Sequence, residues 1–168
     1  MAFDGIVTRA VTKELNDNIL NGRVNKIYQP HNTDLLFLIR AKGRTHQLYL
    51  SANANFARVQ LTKKRYENPK QPPMFCMLLR KHLEGSVITT IEQVGIDRIL
   101  HIGFETRNEV GDITVKKLIV EIMGKHSNII LIEAENGMIL DSIKHLPPSV
   151  NRYRTILPGQ LYVEPPTQ

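Results

Sequence analysis

SVITTIEQVGIDRILHIGFETRNEVGDITVKKLIVEIMGKHSNIILIEAENGMILDSI, residues 86–143, decides the fold. Five β-rich runs stand in it: SVITTIEQV, DRILHIGFE, TVKKLIVEIM, SNIILIE and MILDSI. They are parted by VGID, TRNEVGDI, GKH and AENG, and glycine marks each junction. Short β-branched runs joined through glycine turns predict a meander of antiparallel strands.

Upstream, IVTRAVTKELNDNIL (6–20) carries Val7, Val11, Leu15 and Ile19 at i, i+4 spacing, which predicts an amphipathic helix stopped near Gly22. GRVNKIYQP reads as a strand ended by Pro30, and LLFLIR (35–40) with HQLYLS (46–51) as a hairpin around AKGRT. SANANFARVQLTKKRYENPKQPP reads as a mostly irregular connection. Pro72-Pro73 opens a second helix, MFCMLLRKHLEG, with Phe75, Leu78, Leu79 and Leu83 as its buried stripe. The expected architecture is α+β: helix, three strands, helix, then about five strands. The proline-rich tail reads as the start of a linker, which divides the chain into a domain over residues 1–160 and a linker over 161–168.

The 168 residues suit one domain with a full core. No run approaches the ~18 apolar residues of a membrane span, and the N-terminus lacks a secretory pattern. A single cysteine, Cys76, fits a cytoplasmic setting and reads as an inert core thiol. Lys and Arg outnumber Asp and Glu by 22 to 16, and the pI of about 9.5 meets the usual mark of a nucleic-acid-binding domain.

The motifs exclude more than they establish. Gly124-Lys125 is not a nucleotide loop, because Ile119 and His126 stand where that motif needs glycine and Ser or Thr. The six histidines form no HxxxH pair and Cys76 has no CxxC partner, so neither metal nor cofactor is expected. Two polar features remain. Arg98 falls on the alternation of Leu100, Ile102 and Phe104, at the rim of a core row, with Asp97 beside it. Glu121 falls on the face of Val115, Ile119 and Met123, where a buried carboxylate needs a cation or hydrogen bonds; Lys125, His126 and Arg98 are the nearest candidates. Ser127 and Asn128 can close the corner through side-chain bonds to backbone. Lone polar corners of this kind are usually structural, so the corner reads first as a capped turn and second as a site. The basic segment IKHLPPSVNRYRTILPG, with Lys144, His145, Arg152 and Arg154 around Tyr153, reads equally as a phosphate-contacting surface or as a solvated loop.

MAFDG, NPKQPPMFCMLLRKHLEG, GIDRI, EIMGKHSNIIL and NRYRTILPGQ together resemble the N-terminal NFACT domain of the fibronectin-binding protein A (PavA-type) family, the bacterial RqcH ribosome quality-control factors. The resemblance covers essentially the whole chain. It implies a β-sandwich of antiparallel strands with flanking helices, similar to the N-terminal domain of formamidopyrimidine-DNA glycosylases. It also implies a cytoplasmic, ribosome-associated protein. Such a protein binds the obstructed large ribosomal subunit and alanyl-tRNA and promotes template-free alanine tailing of stalled chains. The family's Asp-Arg pair matches Asp97-Arg98, which carries tRNA binding to those positions. The matched stretch from Glu121 to Asn128 is implied as a support or RNA-facing surface. Ala2-Phe3 stands where the glycosylases have Pro-Glu, so no enzymatic activity is expected. The alternative implied function is fibronectin binding by an adhesin, present at the cell surface without a signal peptide.

Overall fold

The computed structural model describes residues 5–95 and 98–166; Ala2, Phe3 and Asp97 lie outside the described residues. The helix α1 (Gly5–Ile19) leads into strands β1 (Arg23–His31), β2 (Asp34–Ala41), β3 (Arg44–Ser51) and β4 (Arg58–Thr62). After α2 (Met74–Leu83) come β5 (Val87–Gln93), β6 (Ile99–Arg107), β7 (Ile113–Glu121), β8 (Asn128–Glu133) and β9 (Ile139–Ser142). A single 3₁₀ turn, Gly124–His126, joins β7 to β8.

All nine strands form one antiparallel sheet in the order β4-β3-β2-β1-β5-β6-β7-β8-β9. It consists of two meanders that meet at β1 and β5, where the strand register holds only Arg23 opposite Val87. Phe37 of β2 and Phe104 of β6 nevertheless stack with ring centroids 6.1 Å apart. Those strands are three places apart, or roughly 14 Å in a flat sheet at about 4.8 Å per strand. The sheet is therefore folded at the β1–β5 junction, and its two halves face each other across one core. Leu15 and Ile19 of α1 and Phe75, Cys76, Leu79 and Leu83 of α2 complete that core. Burial pushes the Cys76 thiol pKa up, which keeps it protonated and unreactive.

Three features depart from expectation. A fourth strand, β4, lies within the stretch read as irregular: Val59 pairs with Leu50 and is fully buried. Pro30 does not end β1; it lies inside the strand at a register shift between Tyr28 and His31. That end of β1 is bonded to β2 and makes no register pair with β5, so the missing N–H breaks no ladder there. The β2–β3 turn is two residues, Lys42 and Gly43, with φ of 52° and 77°, the twist that closes a tight hairpin.

A smaller second core lies on the opposite face of the β5–β9 half. It gathers Ile99, Ile119, Ile130, Ile132, Ile139 and Ile156, with Leu146 and Tyr162 packed against it. Here β7 and β8 are buried on both faces, because residues 145–163 run back across the sheet. That segment is tied by the Leu146–Ile156 and Met138–Leu161 bridges and by Tyr162 N–H donating to Gly137 O at 2.8 Å. Residues 161–163, expected at the start of a linker, are thus bonded into the fold.

Candidate functional site at the β6–β9 corner

Antiparallel connection brings the start of β6, the end of β7 and the start of β8 to one end of the sheet. Ile122 N–H donates to Arg98 O at 2.9 Å, and Glu121 stands opposite both Ile99 and Asn128. The backbones of Arg98, Glu121 and the Gly124–His126 turn therefore share a corner. Their side chains do not share a role.

Glu121 is 1% exposed and lies on the face of the second core. Its partners are not Lys125, His126 or Arg98. Arg154 grips it through two nitrogens, at 2.8 and 2.6 Å, and Tyr162 donates its hydroxyl to the same carboxylate at 2.6 Å. Arg154 also donates to Val163 O at 2.9 Å. This fork-on-carboxylate geometry suits a desolvated pair. Burial opposes the Arg154 charge, but the hydrogen bonds and charge of Glu121 outweigh it and hold its pKa above the ordinary value. The Tyr162 hydroxyl is pushed far up, first by burial and then by Glu121, so it stays a donor. Glu121 and Arg154 are thus the latch that fastens the C-terminal segment, and both are buried. Arg98 follows the alternation of Leu100, on the main-core side of the sheet, so it is not part of the latch. It is half-buried and has contacts of its own.

Ser127 and Asn128 are both 1% exposed. Ser127 Oγ accepts Met123 N–H at 2.7 Å, which closes the 3₁₀ turn. The Asn128 amide donates to Lys144 O and accepts from Lys144 N–H, both at 3.0 Å. Asn128 is therefore a clamp that fixes Lys144, not a surface contact.

The exposed groups include two cations, Lys125 and Arg152. Lys125 and His126 sit on the turn, and Arg152 and Tyr153 on the loop that Asn151 shapes by accepting two backbone N–H groups, from Tyr153 at 2.8 Å and Arg154 at 3.1 Å. A pocket of about 190 Å³ opens between Lys125, His126, Asn128, Lys144, Asn151 and Arg154. No carboxylate among the described residues lines it. Burial lowers the Lys144 pKa, the mark of a partly desolvated ammonium. A desolvated cation in a pocket without counter-charge favours an anionic group such as a phosphate. Lys144 was legible only as one of several basic loop residues, because nothing local signals the clamp from Asn128. Tyr162 gave no signal at all. Among the described residues, no group of three or more His, Cys, Asp or Glu could hold a metal ion.

The fold and corner define a class: a basic antiparallel α+β domain with a pocket bordered by lysines and, among the described residues, by no carboxylate. The chain belongs to the NFACT N-terminal family, whose model, described as NFACT N-terminal and middle domains, matches residues 4–168. It is 56% identical over 168 residues to the Rqc2 homolog RqcH of Bacillus subtilis, covering 100% of this chain and 30% of that protein. It is 30% identical over 133 residues to the human ribosome quality control complex subunit NEMF, covering 79% of this chain and 12% of that protein. The crystal structure of the N-terminal domain of the fibronectin-binding protein PavA from Streptococcus pneumoniae superposes with a TM-score of 0.95 at 47% identity, over 99% of this chain and 63% of that one. The chain thus spans under a third of the length of these curated relatives. Among the described residues, no helix is long and apolar enough to cross a membrane.

Proposed function

We propose that this chain is the N-terminal domain of a ribosome quality-control factor. The whole protein would bind the obstructed large ribosomal subunit together with alanyl-tRNA and promote template-free alanine tailing of the stalled chain. The domain would act in the cytoplasm, on the ribosome, as a positioning module. Peptide-bond formation would belong to the ribosome, and the domain would need no cofactor. Arg98, with Asp97, would hold a phosphate or ribose of the tRNA, and Lys125, His126, Lys144 and Arg152 would extend the contact. The observation that carries the reading is the likeness to RqcH along the full chain. The carboxylate-free pocket bordered by Lys125, His126 and Lys144 at the same end of the sheet supports it, because charge-assisted bonds to phosphate need such a surface.

In the full-length protein, Asp97→Ala combined with Arg98→Ala is expected to abolish alanine tailing while the thermal unfolding midpoint stays within a few degrees. Normal tailing by that double variant would refute the assignment.

Fibronectin binding is the second reading, favoured by the likeness to the PavA domain. It requires more binding at physiological salt than an unrelated protein of equal charge shows. Equal binding by the two would leave only non-specific attraction to a basic surface.

A further inference from the structure

The other half of the sheet carries a second cleft, of about 630 Å³, within the roughly 300–1,000 Å³ range of ligand sites. On β2, β3 and β4 the register sets Asp34 opposite Ser51, Ser51 opposite Arg58, and Tyr49 opposite Gln60. Opposed residues share a face. The intervening Leu48, Leu50 and Val59 belong to the main core, so this polar row points away from it. After β4 the chain turns back over the row as a strap. Gln47 Nε2 holds its start through Thr62 O at 3.1 Å and Lys64 O at 3.2 Å. Tyr66 then stacks on Tyr49, with centroids 4.8 Å apart and planes 15° from parallel.

Three cations, Arg58, Lys64 and Arg65, border the cleft with two carboxylates, Asp34 and Glu67. Asp34 is already taken up: it is 6% exposed and accepts hydroxyls from Thr33 at 2.9 Å, Ser51 at 2.6 Å and Tyr49. Arg58 Nε, by contrast, is buried with no hydrogen-bond partner among the described residues. A buried guanidinium N–H without an acceptor calls for one from a ligand. Phe56, which also lines the cleft, is 64% exposed and so offers a large apolar ring to solvent.

We propose that this cleft binds single-stranded RNA, taking one phosphate and the adjoining unpaired base. Arg58 donates to the phosphate, Lys64 and Arg65 neutralise it, and Phe56 stacks on the base. Guanidinium plus an exposed aromatic ring is the pairing that unpaired nucleotides use. An acidic peptide would engage the cations and leave Phe56 idle. The assignment stands apart from the reading of the β6–β9 corner, because it uses the opposite half of the sheet.

The test is photo-crosslinking of the full-length protein to a short 4-thiouridine oligoribonucleotide, followed by peptide mapping. A crosslink within residues 53–67 is expected. Phe56→Ala, which alters only a surface ring, and Arg58→Ala should each lower its yield by about tenfold, while Arg98→Ala leaves it unchanged. Three results would overturn the proposal: no crosslink in 53–67, a yield indifferent to Phe56→Ala, or displacement by polyglutamate as effective as by unlabelled oligonucleotide.

Discussion

Each half of the folded sheet has an outer face with an irregular segment laid across it, and each burial centres on a carboxylate that accepts a tyrosine hydroxyl. Under residues 145–163, Glu121 meets Tyr162 and the Arg154 fork, and six isoleucines fill the space around them. Under the 63–67 strap, Asp34 accepts from the neutral hydroxyls of Tyr49 and Ser51, and the neighbouring Arg58 keeps a buried N–H without an acceptor among the described residues. The first arrangement pairs its charge internally and closes. The second leaves its cations to a ligand and stays open. A buried carboxylate alone does not distinguish a support from a site; the pairing of the nearest cation does.

The comparison breaks first at the latch. Glu121→Gln strands Arg154 in a desolvated position and should cost about 3–5 kcal/mol, lowering the unfolding midpoint by roughly 10 °C. Pairing it with Arg154→Met should recover much of that loss, as a double-mutant cycle by chemical denaturation would show. A purely additive cycle would mean that the two side chains do not act as a pair. At the open cleft, Tyr49→Phe removes one of three hydroxyl donors and should cost only about 1 kcal/mol, measured in the same way. Equal losses at the two carboxylates would erase the distinction.

The smallest effect is on pH. His101 shares the outer face with Ile99 and Ile119, and its pKa is lowered by burial and then by Lys117, with weaker opposing pulls from Glu164, Glu92 and Glu121. Its Nε2 is buried with no hydrogen-bond partner among the described residues. A histidine held neutral in the fold binds more protons when unfolded, so stability should fall as pH drops below about 6.5. The His101→Gln variant should show a flatter decline between neutral pH and pH 5, although His82, also lowered by burial, keeps part of the slope.

Much of this architecture was legible in local pattern. The α1 and α2 stripes, the β2–β3 hairpin and the five-strand meander follow from spacing and glycine turns. β4 was not legible, because two core-facing residues, Val59 and Leu61, stand among Asn, Lys and Pro that read as loop. Its polar alternation, Arg58, Gln60 and Thr62, was the available signal. The need of Glu121 for a cation was readable, but its identity was not: Arg154 lies 33 residues on and Tyr162 lies 41. No periodicity reports a contact at that range. Burial likewise separated Asn128 from Lys125 and His126 at the corner, and Arg154 from Arg152 on the basic segment, although each set stands together in the sequence.

In the proposed function RNA meets Lys125 and the half-buried Lys144 at the β6–β9 corner, while Glu121 and Arg154 form the latch. The direct measurement is tRNA affinity of the full-length protein as a function of salt, compared with a Lys125→Ala, Lys144→Ala variant. Each lost phosphate contact should reduce the slope of log K against log salt by about one, so the variant should fall by about two. An unchanged slope, with the fold intact, would contradict the account.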